Sequence, residues 1–312
     1  MGRYAVKRIL WGFVTIWMVT LTVFLIIRIT GDPIQFLANP AVSSEDRERM
    51  RQDFGLDQPI YIQYLLYNKG IFTGNFGMTI RWTGRTPLEV VMMRAPATIQ
   101  LVGASLVFSM VLGLFLGVIS ATMENSIFDR IARVVAIIGQ SMPGYWLGLL
   151  LILLFTIYLG WLPSAGGLDR VGIKGIIMPT ISLGWFLVAA NTRLTRSTML
   201  EVLNSDYIRM LRANGIPRLV IIWKHALRNA SLPVITLFAY NFTFVIGSTL
   251  ITEAIFSWPG IGLLMVNSIF ARDYAIVQTV VFFSAIAIVL VNILVDISYA
   301  WLDPRVRLTN KA

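Results

Sequence analysis

Long apolar runs alternate along this chain with shorter polar segments. A helix of about 20 apolar residues crosses the ~30 Å hydrocarbon core of a bilayer. Runs of roughly that length lie at about 9–30, 97–122, 134–160, 176–191, 232–254 and 275–301, which predicts six crossings and places both ends of the chain on one side. The first run is too long for the apolar region of a signal peptide and lacks a small-residue cleavage site, so it is expected to be retained as a span. Arg28 near its far end is placed to snorkel, and Gly31-Asp32-Pro33 ends the helix. Residues 31–96 are amphipathic and turn-rich, and predict an extracytoplasmic cap. Ser43 with Asp46 forms an approximate capping pattern, and Pro59 opens a helix through Asn68. The cap reads either as a packed connector or as a surface for a soluble partner. Gly113 and Gly117 in the second run, and Gly144 and Gly148 in the third, are spaced for close helix approach.

The polar segment 192–231 carries its own punctuation. Asn204, Ser205 and Asp206 offer helix N-caps, Gly215 offers a left-handed close, and Pro217 restarts the chain. A short helix is therefore bracketed. Tyr207, Met210 and Leu211 fall on one face of it, with Arg209 and Arg212 off that face. Isolated helices below about 12–15 residues are marginal in water, so the apolar face of this helix is expected to need a partner.

Composition then narrows the class. The 312 residues are 56% hydrophobic and only 13% charged, with mean hydropathy +0.73, which places the chain in a membrane as an all-α protein. The net charge of +10 is read as a topology signal rather than as a sign of nucleic-acid binding. Arg3, Lys7, Arg8, Arg130, Arg133, Arg193, Arg196, the basic residues of 209–228 and those of 305–311 share one side, and the short loops opposite offer Arg170, Lys174 and Arg272. Both termini and the bracketed helix are expected to be cytoplasmic, so the partner of that helix is a cytoplasmic protein. With no cysteine, thiolate metal sites and disulfides are excluded.

Candidate chemistry is sparse. There is no phosphate-binding G-x-x-x-x-G-K-[ST] segment, so the chain is expected to bind no nucleotide itself. His225, the single histidine, lies in the basic loop, which leaves no base for an intramembrane protease and no histidine metal centre. Polar residues within the runs are Gln140, Ser141, Asn241, Asn292 and Asp296, candidates for a wet path or a bundle interior. Asp296 is expected to pair with Arg193 or Arg196, and Ser141 to bond backbone. Trp258, after Glu253, is expected at headgroup level. A secondary transporter or channel would predict internal repeats, and none is convincing. A membrane enzyme would need a nucleophile and base within the spans.

Several motifs recur in a specific order: Pro143-Gly144-Tyr145-Trp146-Leu147-Gly148, Gly160-Trp161-Leu162-Pro163, Asp206-Tyr207-Ile208-Arg209 with Arg212-Ala213-Asn214-Gly215, His225-Ala226-Leu227-Arg228-Asn229-Ala230, Glu253 through Gly262, and Leu302-Asp303-Pro304-Arg305. In that order they resemble the B-type permease subunit of the dipeptide and oligopeptide branch of bacterial ABC importers, a branch that includes nickel and glutathione importers. The resemblance implies a type I importer permease fold. It also implies a homologous C-type permease, two cytoplasmic ATPase subunits that bind ATP and Mg, and an extracytoplasmic solute-binding protein. It implies as well that residues 206–215 (Asp206, Tyr207, Ile208, Arg209, Met210, Leu211, Arg212, Ala213, Asn214, Gly215) form a coupling helix docked on an ATPase. Arg209-Met210-Leu211 stand where other importers place Glu-Ala-Ala.

Overall fold

In hydrocarbon a backbone must satisfy its own polar groups, and the chain does so with helices. The computed structural model describes residues 2–30, 45, 49, 52, 56–79, 81–82 and 84–302, except for the side chains of 2–5, 30, 232, 239 and 296–302. Among these residues every regular element is helical. In chain order they are α1 (Gly2–Thr30), α2 (Ile60–Thr73), α3 (Pro87–Thr122), α4 (Ile127–Ser141), α5 (Gly144–Tyr158), α6 (Leu168–Val171), α7 (Lys174–Leu203), α8 (Asp206–Ala213), α9 (Arg218–Val220), α10 (Leu227–Ile255), α11 (Ile261–Phe270) and α12 (Tyr274–Leu302). Wider π-type winding occupies the end of α5 and joins α9 to α10. Five helices are long and apolar enough to cross a membrane, six if α4 and α5 count as one broken span.

That break is a departure from the sequence expectation of one crossing over 134–160. Helices α4 and α5 meet at 107°. Pro143 disfavours helical geometry for the residue before it, and Met142 is extended, with φ −91° and ψ 124°. Pro96, Pro179 and Pro233 are instead carried inside α3, α7 and α10. The cap helix α2 opens after Pro59, as expected, and closes on Gly74 at φ 74°. The capping pattern at Ser43 and Asp46 lies outside the described residues.

The chain divides into two units, residues 1–96 with 259–293 and residues 97–258 with 294–312. In the first, Phe24 of α1 is buried against Tyr64 and Tyr67 of α2, with ring centres 5.2 and 5.8 Å away, while Tyr61 and Leu65 stay exposed. A second cluster joins Val90 and Val91 of α3, Leu264 of α11, and Ile276 and Val280 of α12.

The second unit is built on α7. Of its apolar window 67% is buried, against 17% for α1, so α7 is a hub where α1 presents a lipid-type surface. Close backbone approach explains it. A methyl group at Gly113 or Gly117 of α3 would lie 2.5 Å from Asn191 Cβ or Thr195 Cβ of α7. Gly144 and Gly148 of α5 rest on Ser182 of α7, whose hydroxyl donates to the Gly144 carbonyl at 2.8 Å. The small-residue pairs thus share one partner helix. Leu101 and Leu106 of α3, Leu187 of α7, Val245 of α10 and Trp258 fill the rest. Trp258 is fully buried and donates its indole N–H to the Ala97 carbonyl at 2.8 Å, so its ring faces the protein core rather than lipid. With a backbone acceptor inside, its one donor is satisfied without water.

Candidate functional site

Helix α8 begins where the chain leaves α7. Ser205 takes the extended N-cap geometry, with φ −72° and ψ 155°, yet its hydroxyl donates back to the Val202 carbonyl and does not cap α8. At the other end, Ile216 N–H donates to the Leu211 carbonyl and Gly215 N–H to the Arg212 carbonyl, with Gly215 at φ 73°. This is the paired closing motif that a left-handed glycine permits. Asp206 and Arg209 pair at 2.9 Å on the surface, an exposed contact of small energetic weight.

The apolar face divides differently from expectation. Ile208 (0% exposed) and Leu211 (7%) turn inward onto Val118 and Ala121 of α3, Met199 of α7, and Ile221, Ile222, Ala226 and Ala230 leading into α10. Tyr207 (41%) and Met210 (56%) turn outward, with Arg209, Arg212, Ala213 and Asn214 also exposed. The protein itself therefore supplies the partner for one face, and this stabilises so short a helix. The expected grouping of Leu211 with Met210 fails because α3, α7 and the start of α10 pack against the side of α8 that carries Ile208 and Leu211. Tyr207 is further held by a 2.8 Å hydrogen bond between its hydroxyl and His225 Nδ1, so the single histidine positions the outer face.

Below the seat, α3, α4 and α7 are tied by Asp129. Its buried carboxylate accepts from Arg196 Nε at 2.6 Å and Nη2 at 2.9 Å, from Ser120 Oγ at 2.6 Å and from the Asn125 backbone at 3.0 Å. A buried carboxylate is stable only when so many donors meet it. Arg196 is thus engaged by Asp129; the Asp296 side chain, expected to pair with Arg193 or Arg196, lies outside the described residues. Ser126 and Asp129 have the spacing of a capping box, and the Asp129 N–H donates to Ser126 Oγ at 3.2 Å, but that spacing does not announce Arg196.

The polar residues of the apolar runs are placed as follows. Asn241 of α10 is buried and donates to Asn191 Oδ1 at 3.4 Å; Asn191, also buried, donates to the Ser109 carbonyl at 3.3 Å. Asn191 was passed over because it stands at the end of its apolar run. Ser141 is exposed, and its hydroxyl donates to the Ile137 carbonyl at 3.0 Å, the backbone bond expected of it. Gln140 is half-buried on α4, and Asn292 is exposed on α12 in the first unit. Glu253 is fully buried and accepts from Thr98 Oγ1 at 2.7 Å.

Comparison with known proteins agrees with this architecture. Residues 113–308 match the family described as binding-protein-dependent transport system inner membrane component, and residues 1–101 match its N-terminal membrane component. The chain is 35% identical over 309 residues to the glutathione transport system permease protein GsiC of Escherichia coli K12, covering 98% of this chain and 99% of the relative. It is 36% identical over 315 residues to the oligopeptide transport system permease protein AppB of Bacillus subtilis 168, with 98% and 99% covered. In fold it is similar to a chain of the inward-facing MetNI methionine ABC transporter, with TM-score 0.57 and 17% identity over 69% of this chain and 97% of that one. The chain belongs to the binding-protein-dependent inner-membrane component family, the permease subunits of ABC importers.

Proposed function

We propose that this permease admits short peptides, glutathione among them, and that α8 is the lever through which partner ATPases drive it. The relatives in Escherichia coli and Bacillus subtilis are permeases of a glutathione and an oligopeptide transport system, which supports the substrate class. The partners are a second, homologous permease, two ATPase subunits that hold ATP and Mg, and a solute-binding protein outside. This chain catalyses nothing and binds no cofactor, because free energy reaches it as a push on α8. The observation that carries the reading is the two-sided character of α8. Its inner face, Ile208 and Leu211, is continuous with the core of α3, α7 and α10. Its outer face, Tyr207 and Met210 flanked by Arg209 and Arg212, is open.

Closure of the ATPase pair on ATP displaces the outer face. Because its inner face is buried in the cluster shared with α3, α7 and α10, α8 does not rotate alone but carries α7 and α10 with it. The permease pair then rocks between inward and outward access. Gln140, Ser141, Asn241, Asn292 and Asp296 remain the candidates for polar groups along the path; of these Asn241 is held by Asn191 and Ser141 by the Ile137 carbonyl.

The test is reconstitution. The chain with its permease partner alone is expected to move no peptide, and addition of the ATPases, binding protein and ATP to restore uptake. Met210→Asp in that assembly should abolish uptake while leaving the subunit folded. Peptide flux without ATPases would indicate a channel, and normal uptake by Met210→Asp would remove α8 from the coupling route.

A further inference from the structure

A cavity of about 280 Å³ lies within the first unit, between the start of α3, residues 81–82 and α11. Its wall includes Arg81, Trp82, Arg94, Leu264, Ser268 and Asp273. The two guanidinium groups are the chemistry to be explained. Arg94 stacks on Trp82, with Cζ 5.4 Å from the ring centre, so one guanidinium face is covered and its in-plane N–H groups are left to donate. Among the described residues neither Arg81 nor Arg94 forms an ion pair. Asp273 is almost wholly buried, and its Oδ1 accepts from the Ile276 backbone at 3.3 Å, which makes it the N-cap of α12. Its carboxylate is favoured at that helix terminus and also lies on the cavity wall with the two guanidinium groups.

Two guanidinium groups against the single carboxylate of Asp273 leave the cavity wall net positive, a charge that a bound anion offsets. A phosphate-type oxyanion answers that need, since guanidinium forks donate in parallel to its oxygens. Leu263 and Leu264 supply an apolar side to the same cavity, with Ser268 and Asn267 as neutral polar groups. The volume holds a phosphate and the first atoms esterified to it, not a whole lipid. Arg94 stands three residues before the apolar run that begins at about 97, the depth at which tryptophan and arginine meet headgroups.

We infer that the cavity of Arg81, Trp82 and Arg94 binds a phosphate-type oxyanion, supplied by an anionic phospholipid headgroup or by free phosphate. The cavity belongs to the first unit and α8 to the second. The test uses the full chain, delipidated in detergent and followed by native mass spectrometry during titration with phosphatidylglycerol, with diacylglycerol lacking the phosphate, and with inorganic phosphate. Charge-assisted hydrogen bonds predict that Arg94→Gln and Arg81→Gln each weaken phosphatidylglycerol binding by about tenfold or more. Arg81 is exposed, so its replacement leaves folding intact and keeps the test valid if Arg94→Gln is unstable. Lipid displaced by millimolar inorganic phosphate assigns the site to phosphate itself; lipid that resists displacement assigns it to the headgroup, and either result supports the oxyanion site. Equal phosphatidylglycerol binding by wild type and both variants, or diacylglycerol bound as well as phosphatidylglycerol, overturns it.

Discussion

Helices α7 and α8 are consecutive in the chain and are held by opposite means. Helix α7 is gripped on several sides by backbones that come close because Gly113, Gly117, Gly144 and Gly148 have no side chain. Helix α8 is held on one side only, by Ile208 and Leu211, and leaves Tyr207 and Met210 outside. A hub needs contact all round, whereas a lever needs one face fixed and one face free. The comparison locates where a force applied to the protein would enter and which helix would receive it.

The comparison breaks most severely through the inner face of α8. Ile208→Asp places a carboxylate with no partner in the core that α3, α7 and α10 share. A loss above about 4 kcal/mol is expected, read as failure to accumulate folded protein. Next is Asp129→Ala, which strips Arg196 of both its hydrogen bonds and should cost about 3–5 kcal/mol as a broken buried pair. Thermal unfolding in detergent would show it, and Asp129→Glu should recover part of the loss. Gly117→Val comes third: its side chain would overlap Thr195, and overpacking of this kind costs about 1–3 kcal/mol. Gly117→Ala should cost less than Gly117→Val; equal stability of all three would mean that α3 and α7 are not in close contact. Smallest in stability is Met210→Asp, within about 0.5 kcal/mol as for exposed sites, with coupled uptake nevertheless lost.

Much of this was legible in the apolar runs and the punctuation. Gly215, Pro59 and the glycine pairs act through backbone geometry, which depends on a residue and its immediate neighbours. They could therefore be read from the chain. The bend at Met142-Pro143 was less legible, because Pro96, Pro179 and Pro233 lie within helices that continue. Local chemistry does not separate the two outcomes; packing on Ser182 does. The division of α8 between Leu211 and Met210 depends on where α3 and α10 lie, which helical periodicity alone does not contain. Asp129 with Arg196 is a contact between residues 67 apart in sequence, invisible to any local pattern. Trp258 is a similar case, since its hydrogen bond to the Ala97 carbonyl joins residues 161 apart.

The sequence contains no cysteine, so a single introduced thiol reports on one position alone. Maleimide labelling of Met210→Cys and Ile208→Cys, with and without ATPase subunits, tests the lever most directly. Cys at 210 should label in the free permease and be protected when the ATPases are bound, while Cys at 208 should stay unreactive in both. Equal labelling at 210 with and without ATPases, or ready labelling at 208, would contradict a helix seated on one face and docked on the other.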